Sequence, residues 1–382
     1  VTGPDVRVAG VGMTSFGKLD DATALDLSVS AVAEAITDSG VDPAAIEAAF
    51  FGAAGEFALG QRTLVELGVG GIPVLNTENA CATSSTAFYL AHVALRAGEF
   101  ETVVVGGAHS YAALRRGDTG PGAANLARFD RDFAAGLSLP GIYALLARRH
   151  MEDHGTTLEQ LALVSVKNHE HGLLNPKAQY HLRLTVDEVL NSRLIADPLT
   201  LYHCCPRTDG AAAVVLTTRP GAAGPRVRSC VLGAGSVAGS ADERGWGVDL
   251  VADTAGRAYA RAAVDPADVD VFEVHDAFTI GEVLSYEGLG LCPVGEGGRL
   301  IQDRVTWLGG RHVVNPSGGL IARGHPVTAT GVAMIAEIAK QLAGGAGAYQ
   351  VEGARLGVAE TMGGGTAGIS GNACTVTVLE AA

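Results

Sequence analysis

The 382-residue sequence is poor in positive charge, in paired cysteine and in long apolar runs. Its 27 Lys and Arg face 41 Asp and Glu, a formal net charge of −14. Nucleic acids and anionic membranes attract a basic field, so both are excluded as partners. Six cysteines (Cys81, Cys204, Cys205, Cys230, Cys292, Cys374) include no C-x-x-C pair. Zinc-ribbon spacing is therefore absent, and a chain of this length needs no disulfide framework. No apolar run approaches the ~18 residues that cross a bilayer. The opening Val1-Thr2-Gly3-Pro4-Asp5 lacks the basic-then-apolar order of a secretory signal. The expectation is a cytoplasmic protein with no membrane segment and no bound metal.

What is present is a large apolar reserve, 47% of residues, and 52 glycines clustered in short runs. Such a chain buries a sizeable core and divides into packed halves. The order of elements repeats. Val6 to Gly12 reads as a strand, Thr23 to Ser39 as a helix, and Val41-Asp42-Pro43 as a turn before the strand Ala48 to Gly52. Val227 to Gly235, Val251 to Ala263, Val264-Asp265-Pro266 and Val269 to Val274 repeat that series. Asn76 to Leu95 and Asn315 to Leu342 each read as a polar loop entering an apolar helix, followed by the strands Thr102 to Gly106 and Ala354 to Glu360. Strands alternating with helices predict an α/β protein with mostly parallel sheets. We therefore expect two halves, residues 1–220 and 226–382, joined by the breaker-rich stretch Arg219 to Pro225. A segment of about 112–198 has no counterpart in the second half. It carries Arg128, Asp130, Arg131, Asp132, His150, His169, His171 and His181, and reads as helices and loops laid over the core.

Three strings carry chemistry. Asn76-Thr77-Glu78-Asn79-Ala80-Cys81-Ala82-Thr83-Ser84-Ser85 sets a cysteine before a helix of small residues. A helix N-terminus favours negative charge, so the thiol should lose its proton readily; a buried, inert Cys81 is the rival reading. Asn315-Pro316-Ser317-Gly318-Gly319-Leu320-Ile321-Ala322-Arg323-Gly324-His325-Pro326 places glycines where backbone can approach a ligand, and Pro326 fixes the chain after His325. Glu273-Val274-His275-Asp276-Ala277-Phe278 ends a strand, where open α/β sheets place ligands; a solvated strand end is the alternative.

Together these strings, with Asp209-Gly210-Ala211-Ala212-Ala213, resemble the thiolase superfamily over nearly the whole chain. The His-Asp-x-Phe motif places the resemblance nearest the sterol carrier protein X thiolases and the bacterial lipid-transfer-protein thiolases. The resemblance implies a thiolase fold of duplicated βαβαβαββ halves in an αβαβα layered core, usually as a homodimer. It implies Cys81 as the acyl-accepting nucleophile, His325 as its activator and holder of the thioester oxygen, and His275 as part of a second oxyanion site. Asn315, Ser317, Gly318, Gly319 and Gly364 become substrate-binding candidates. The substrate would be a coenzyme A thioester, with no permanently bound cofactor. A small zinc-ribbon/OB-fold partner is implied in the same way.

The chain departs from the family in its last glycine-rich loop. Where ordinary thiolases carry Cys-x-Gly, it reads Glu360-Thr361-Met362-Gly363-Gly364-Gly365. Neither Thr361 nor Met362 is a base near neutral pH. Cys374 lies in an apparent core strand, and Cys204 and Cys205 read as structural. The resulting expectation is an acyltransferase working through acyl-Cys81, by β-ketoacyl-CoA thiolysis or by C-acyl transfer to an activated acceptor, with His275 or His325 as base. The alternatives are a thiolase-like aldolase cleaving a β-hydroxyacyl-CoA side chain, and a non-catalytic subunit or lipid carrier.

Overall fold

The Val-Asp-Pro repeat closes the same turn twice. Asp42 accepts from Ala44 N and Asp265 from Ala267 N, both at 2.9 Å, each capping a single 3₁₀ turn that opens with proline. These turns sit at equivalent places in a computed structural model that describes residues 3–115, 136–235, 247–364, 371 and 373–382.

The first half runs β1 (Arg7–Met13), α1 (Ala24–Ser39), β2 (Ala48–Gly52), α2 (Leu59–Glu66), β3 (Val74–Thr77), α3 (Thr83–Ala97) and β4 (Thr102–His109). The insertion follows as α4 (Ala112–Arg115), α5 (Leu139–His154), α6 (Leu158–Gly172), α7 (Val186–Leu190) and the short pair β5 (Leu194–Ala196) and β6 (Leu199–Thr200). Strand β7 (Gly210–Thr217) completes the half. The second half is β8 (Arg226–Gly233), α8 (Val248–Ala262), β9 (Val271–Glu273), α9 (Thr279–Gly288), α10 (Gly297–Gln302), β10 (Val313–Val314), α11 (Thr330–Leu342), β11 (Leu356–Gly363) and β12 (Ala373–Glu380).

The strands form one ten-stranded ladder in the order β10-β9-β11-β12-β8-β1-β7-β4-β2-β3. Read outward from the central β8–β1 pair, the two sides have the same plan. In each, the two outer pairings are parallel and the two inner ones antiparallel. Helix α1 covers the outer face of the first half and α8 that of the second, while α3 and α11 pack on each other and on strands of both halves. This is the expected αβαβα layering. Small residues permit the central contact: a Cβ on Gly331 would overlap Ser85, and Val332 N donates to Ser84 Oγ at 3.0 Å. The small residues after Cys81 thus serve helix packing.

The insertion lies over the second half, with α6 against α9, α10 and the turn Gly319–Arg323, and α5 against α9. Two of its histidines are used in that attachment. His150 Nε2 contacts Glu287 at 3.1 Å, and His171 bridges Asn315 O (2.9 Å) and Leu308 N (3.1 Å). His169 and His181 bond carbonyls within the insertion, Ser165 O and Asn175 O, each at 2.9 Å. Arg128, Asp130, Arg131 and Asp132 lie outside the described residues. Among the described residues no helix is long and apolar enough to cross a membrane.

Candidate active site

Cys81 sits in a locked turn between β3 and α3. Ala80, immediately before it, has φ 50°, a left-handed value that a non-glycine residue adopts only when its surroundings enforce it. The enforcing contacts are local. Asn79 N donates to Thr83 Oγ1 (2.9 Å), Thr83 Oγ1 to Ala80 O (2.5 Å), and Asn79 Nδ2 to Thr86 Oγ1 (3.1 Å). The sulfur receives the N–H of Gly364 and its own N–H, yet burial outweighs both and pushes the thiol up to about 11. The expectation of a readily ionised thiol is therefore corrected. Desolvation exceeds the help of two peptide dipoles, and the resting group is S–H. Inertness does not follow, because Cys81 is half-buried and shares its pocket with two imidazoles.

His325 and His275 arrive from separate loops of the second half. One Cys81, His275 and His325 ligand atom apiece all lie within 4.8 Å of one another, and the two rings meet edge to face with centroids 5.2 Å apart. His325 N donates to Thr208 Oγ1 at 2.8 Å, and its Nδ1 lies 2.7 Å from Thr330 Oγ1. His275 follows β9; its N donates to Glu360 Oε2 at 3.0 Å, and among the described residues its buried Nδ1 has no partner. Burial lowers His275 to about 4 and, with His275 and His109 as neighbours, holds His325 well below its ordinary value. Both imidazoles are neutral, able to accept one proton and donate another. A thiol and two imidazoles can also ligate a thiophilic cation, but among the described residues no fourth His, Cys or carboxylate joins the group.

The strand-end alternative for His275-Asp276 fails, since both residues are buried. Asp276 accepts from Leu320 N (2.6 Å), Ile321 N (3.3 Å) and Asn168 Nδ2 (2.7 Å). Burial and the nearby Glu282 push its carboxyl up, while the two amides pull it down. It thereby ties the His275 loop to the loop that ends in His325.

The loop residues read as substrate-binding make contacts within the protein itself. Asn315 is buried, accepting from Val274 N (2.9 Å) and donating to Glu282 Oε2 (2.7 Å). Ser317 is buried too, with Oγ donating to Glu273 Oε2 at 2.9 Å beside Arg323. Gly318 (φ 101°) seats the loop on Gly172, and Gly319 (φ 59°) leaves room for the Asp276 carboxylate. The Asn315 and Ser317 side chains are thus engaged in the protein's own interior. Gly364 alone of that set faces the sulfur.

Sequence reasoning missed the support behind this layer. Lys167, on α6, is wholly buried; it bonds Glu282 and donates to Val314 O at 2.9 Å, while Asn168 reaches both Asp276 and Glu282. A Lys-Asn pair inside an otherwise amphipathic helix was the available signal.

Beside His275 lies a small cavity of about 20 Å³, room for roughly one water molecule, lined chiefly by Tyr143, Val248, Val251, Leu284, Glu360 and Met362. Tyr143 comes from the insertion and stacks on Phe278, with ring centroids 4.3 Å apart. Thr361 points elsewhere, its hydroxyl donating to Met334 Sδ at 3.5 Å. Cys374 is buried in β12 behind Glu360, and burial raises its thiol well above the ordinary value. Cys205 N donates to Ala277 O at 2.9 Å; its thiol is raised by burial, then by Cys81.

Two family models match the chain: the N-terminal domain of thiolase over residues 6–220 and the thiolase C-terminal domain-like family over 238–377. The acetyl-CoA acetyltransferase of Methanothermobacter thermautotrophicus is 39% identical, aligned over 96% of this chain and 98% of that one. Bovine sterol carrier protein 2 is 36% identical, aligned over 94% of this chain and 70% of that protein. The benzoylsuccinyl-CoA thiolase subunit BbsB of Thauera aromatica is 36% identical, over 94% and 95%. Among solved structures, a chain of the Ltp2–ChsH2(DUF35) aldolase superposes with a TM-score of 0.86 at 25% identity, covering 100% of this chain and 99% of that one.

Proposed function

The chain belongs to the thiolase family, on the sterol-carrier-protein side of it, and from that premise we propose that it transfers acyl groups from coenzyme A thioesters through acyl-Cys81. The observation that carries this reading is the convergence of Cys81, His275 and His325 atoms within 4.8 Å from three separate loops. Residues 1–220 would supply the nucleophile and 226–382 both imidazoles.

The chemistry follows from protonation states. Cys81 rests as a thiol and His325 as a neutral imidazole, so the proton moves when the sulfur attacks the thioester carbonyl. His325 takes it and returns it to the departing CoA thiolate. Developing charge on the carbonyl oxygen would be met by imidazole N–H and peptide N–H donors, each commonly worth ~3 kcal/mol of barrier. The acyl group then leaves to CoA, in thiolysis, or to a carbon acceptor. A homodimer and a small zinc-ribbon/OB-fold partner belong to the same proposal; the partner is supported by the ChsH2(DUF35) component of the aldolase neighbour and the subunit status of BbsB.

Aldol cleavage of a β-hydroxyacyl-CoA is the second reading, favoured by the likeness to the Ltp2–ChsH2(DUF35) aldolase and by Thr361 in the position of a base cysteine. Brief exposure to acetyl-CoA, followed by intact-protein mass spectrometry, separates the two. Acyl transfer expects one adduct, absent from Cys81→Ala, together with acyl exchange into free CoA. Full turnover by Cys81→Ala would replace this reading with the aldolase.

A further inference from the structure

Carbon–carbon chemistry on an acyl-Cys81 enzyme needs a group that takes a proton from the α-carbon of the second thioester, and the obvious candidates are spent. Thr361 is turned to Met334, and Cys374 is shut behind β11. His325, within 4.8 Å of the sulfur, is assigned to Cys81 in the acyl-transfer reading, and burial leaves His275 a weak base. Among the described residues, Glu360 is the carboxylate that lines the cavity beside His275. We infer that Glu360 is the proton acceptor for that carbon acid, standing in for the cysteine missing from the last glycine-rich loop.

The geometry supports the assignment. Successive residues of β11 point to opposite faces, so Glu360 and Met362 line the cavity while Thr361 faces α11. Glu360 Oε2 is held by His275 N (3.0 Å) and Ser285 Oγ (3.2 Å), which fixes the carboxyl beside the cluster. Among the described residues, Oε1 has only the weak Cys374 S–H, at 4.0 Å. Most of the remaining lining is apolar, and burial raises this carboxyl to about 7, matched to acid–base work at neutral pH. Tyr143, which also lines the cavity, lies within the field of both Cys81 and Glu360.

The step balances as follows. The α-proton passes to the Glu360 carboxylate, and its electron pair attacks the acyl carbonyl on Cys81. The new C–C bond forms as the C–S bond breaks, and the thiolate is reprotonated as Glu360 gives its proton back through water. Thiolysis runs this in reverse, with protonated Glu360 quenching the carbanion.

This inference rests on the acyl-transfer reading, and the experiment keeps the two apart. Solvent-deuterium exchange at the α-carbon of acetyl-CoA and butyryl-CoA is followed by mass spectrometry, alongside acyl loading of Cys81, in wild type, Glu360→Gln and Glu360→Asp. Glu360→Gln should slow exchange ~10²- to 10⁴-fold and still load Cys81, with Glu360→Asp recovering part of the rate. Exchange in wild type should rise with pH through the neutral range, and Glu360→Gln should lack that limb. Wild-type exchange in Glu360→Gln, no exchange in wild type with either thioester, or parallel loss of loading and exchange would each overturn the role of Glu360. Failure of wild type to load Cys81 would instead overturn acyl transfer itself.

Discussion

His325 Nδ1 lies 2.7 Å from Thr330 Oγ1, and that hydroxyl donates onward to Pro326 O at 3.0 Å. A hydroxyl has one hydrogen, so Thr330 accepts from His325 and the imidazole proton resides on Nδ1. Nε2 is left with its lone pair free to take the Cys81 proton. Thr330→Val keeps the shape of this buried site but removes the acceptor. Acylation of Cys81 should slow about 10- to 100-fold, equivalent to ~1–3 kcal/mol, with thioester binding little changed. Rapid-quench measurement of acyl-enzyme formation reads this directly; an unchanged rate would show that the tautomer is set elsewhere.

Free Cys81 should be a sluggish nucleophile toward simple alkylating agents. With the thiol pushed up to about 11, only roughly one part in 10⁴ is thiolate at pH 7. Because the folded value is raised, the reactive form grows as pH increases. The iodoacetamide rate at this residue, followed by peptide mass spectrometry, should climb throughout pH 7–10 without levelling. A plateau near pH 7 would mean that Cys81 and His325 already form an ion pair at rest.

Much of this was legible before any coordinates. The duplication could be read from Val41-Asp42-Pro43 and Val264-Asp265-Pro266, because one capped turn demands the same three residues each time it occurs. Cys81, His275 and His325 could be read because each lies in a long string of special residues. Strand β10, with only Val313–Val314, gave no periodicity to detect. The protein partners of Asn315 and Ser317 could not be read, for a physical reason. Polar residues flanked by glycine look alike whether their partner is a ligand or a buried carboxylate, and here the partners, Glu282 and Glu273, lie more than thirty residues earlier. Glu360 was hidden in the same way, since an acid in a strand acquires its character only from what encloses it.

Gly319 supplies a test of how the catalytic loop is held. Its φ of 59° disfavours a side chain, and a Cβ would overlap the Asp276 carboxylate. Gly319→Ala should cost ~1–3 kcal/mol of stability and displace the bonds from Leu320 and Ile321 to Asp276. His325 follows five residues after Leu320, so acylation should fall with stability. Urea unfolding and acyl loading, measured together, check both. Loss of neither would show that the loop tolerates a shifted Asp276.

Lys167 and Glu282 form a wholly buried ion pair beneath that loop, and Glu282 also bonds Asn168, Asn315 and Tyr286. Removing one member of such a pair leaves the other charge desolvated without its partner. Lys167→Met should therefore destabilise by ~3–5 kcal/mol, whereas replacing both partners removes the stranded charge and costs much less. The double variant Lys167→Met/Glu282→Gln retains an acceptor oxygen for the asparagine amides, so it should regain most of the stability lost in Lys167→Met. Its acylation rate should recover in parallel, because Asn168 and Asn315 hold Asp276 and Val274, the residues flanking His275. Chemical denaturation of the single and double variants gives the coupling energy. Additive losses would mean that Lys167 stabilises α6 through packing and its bond to Val314 O, with no specific dependence on Glu282.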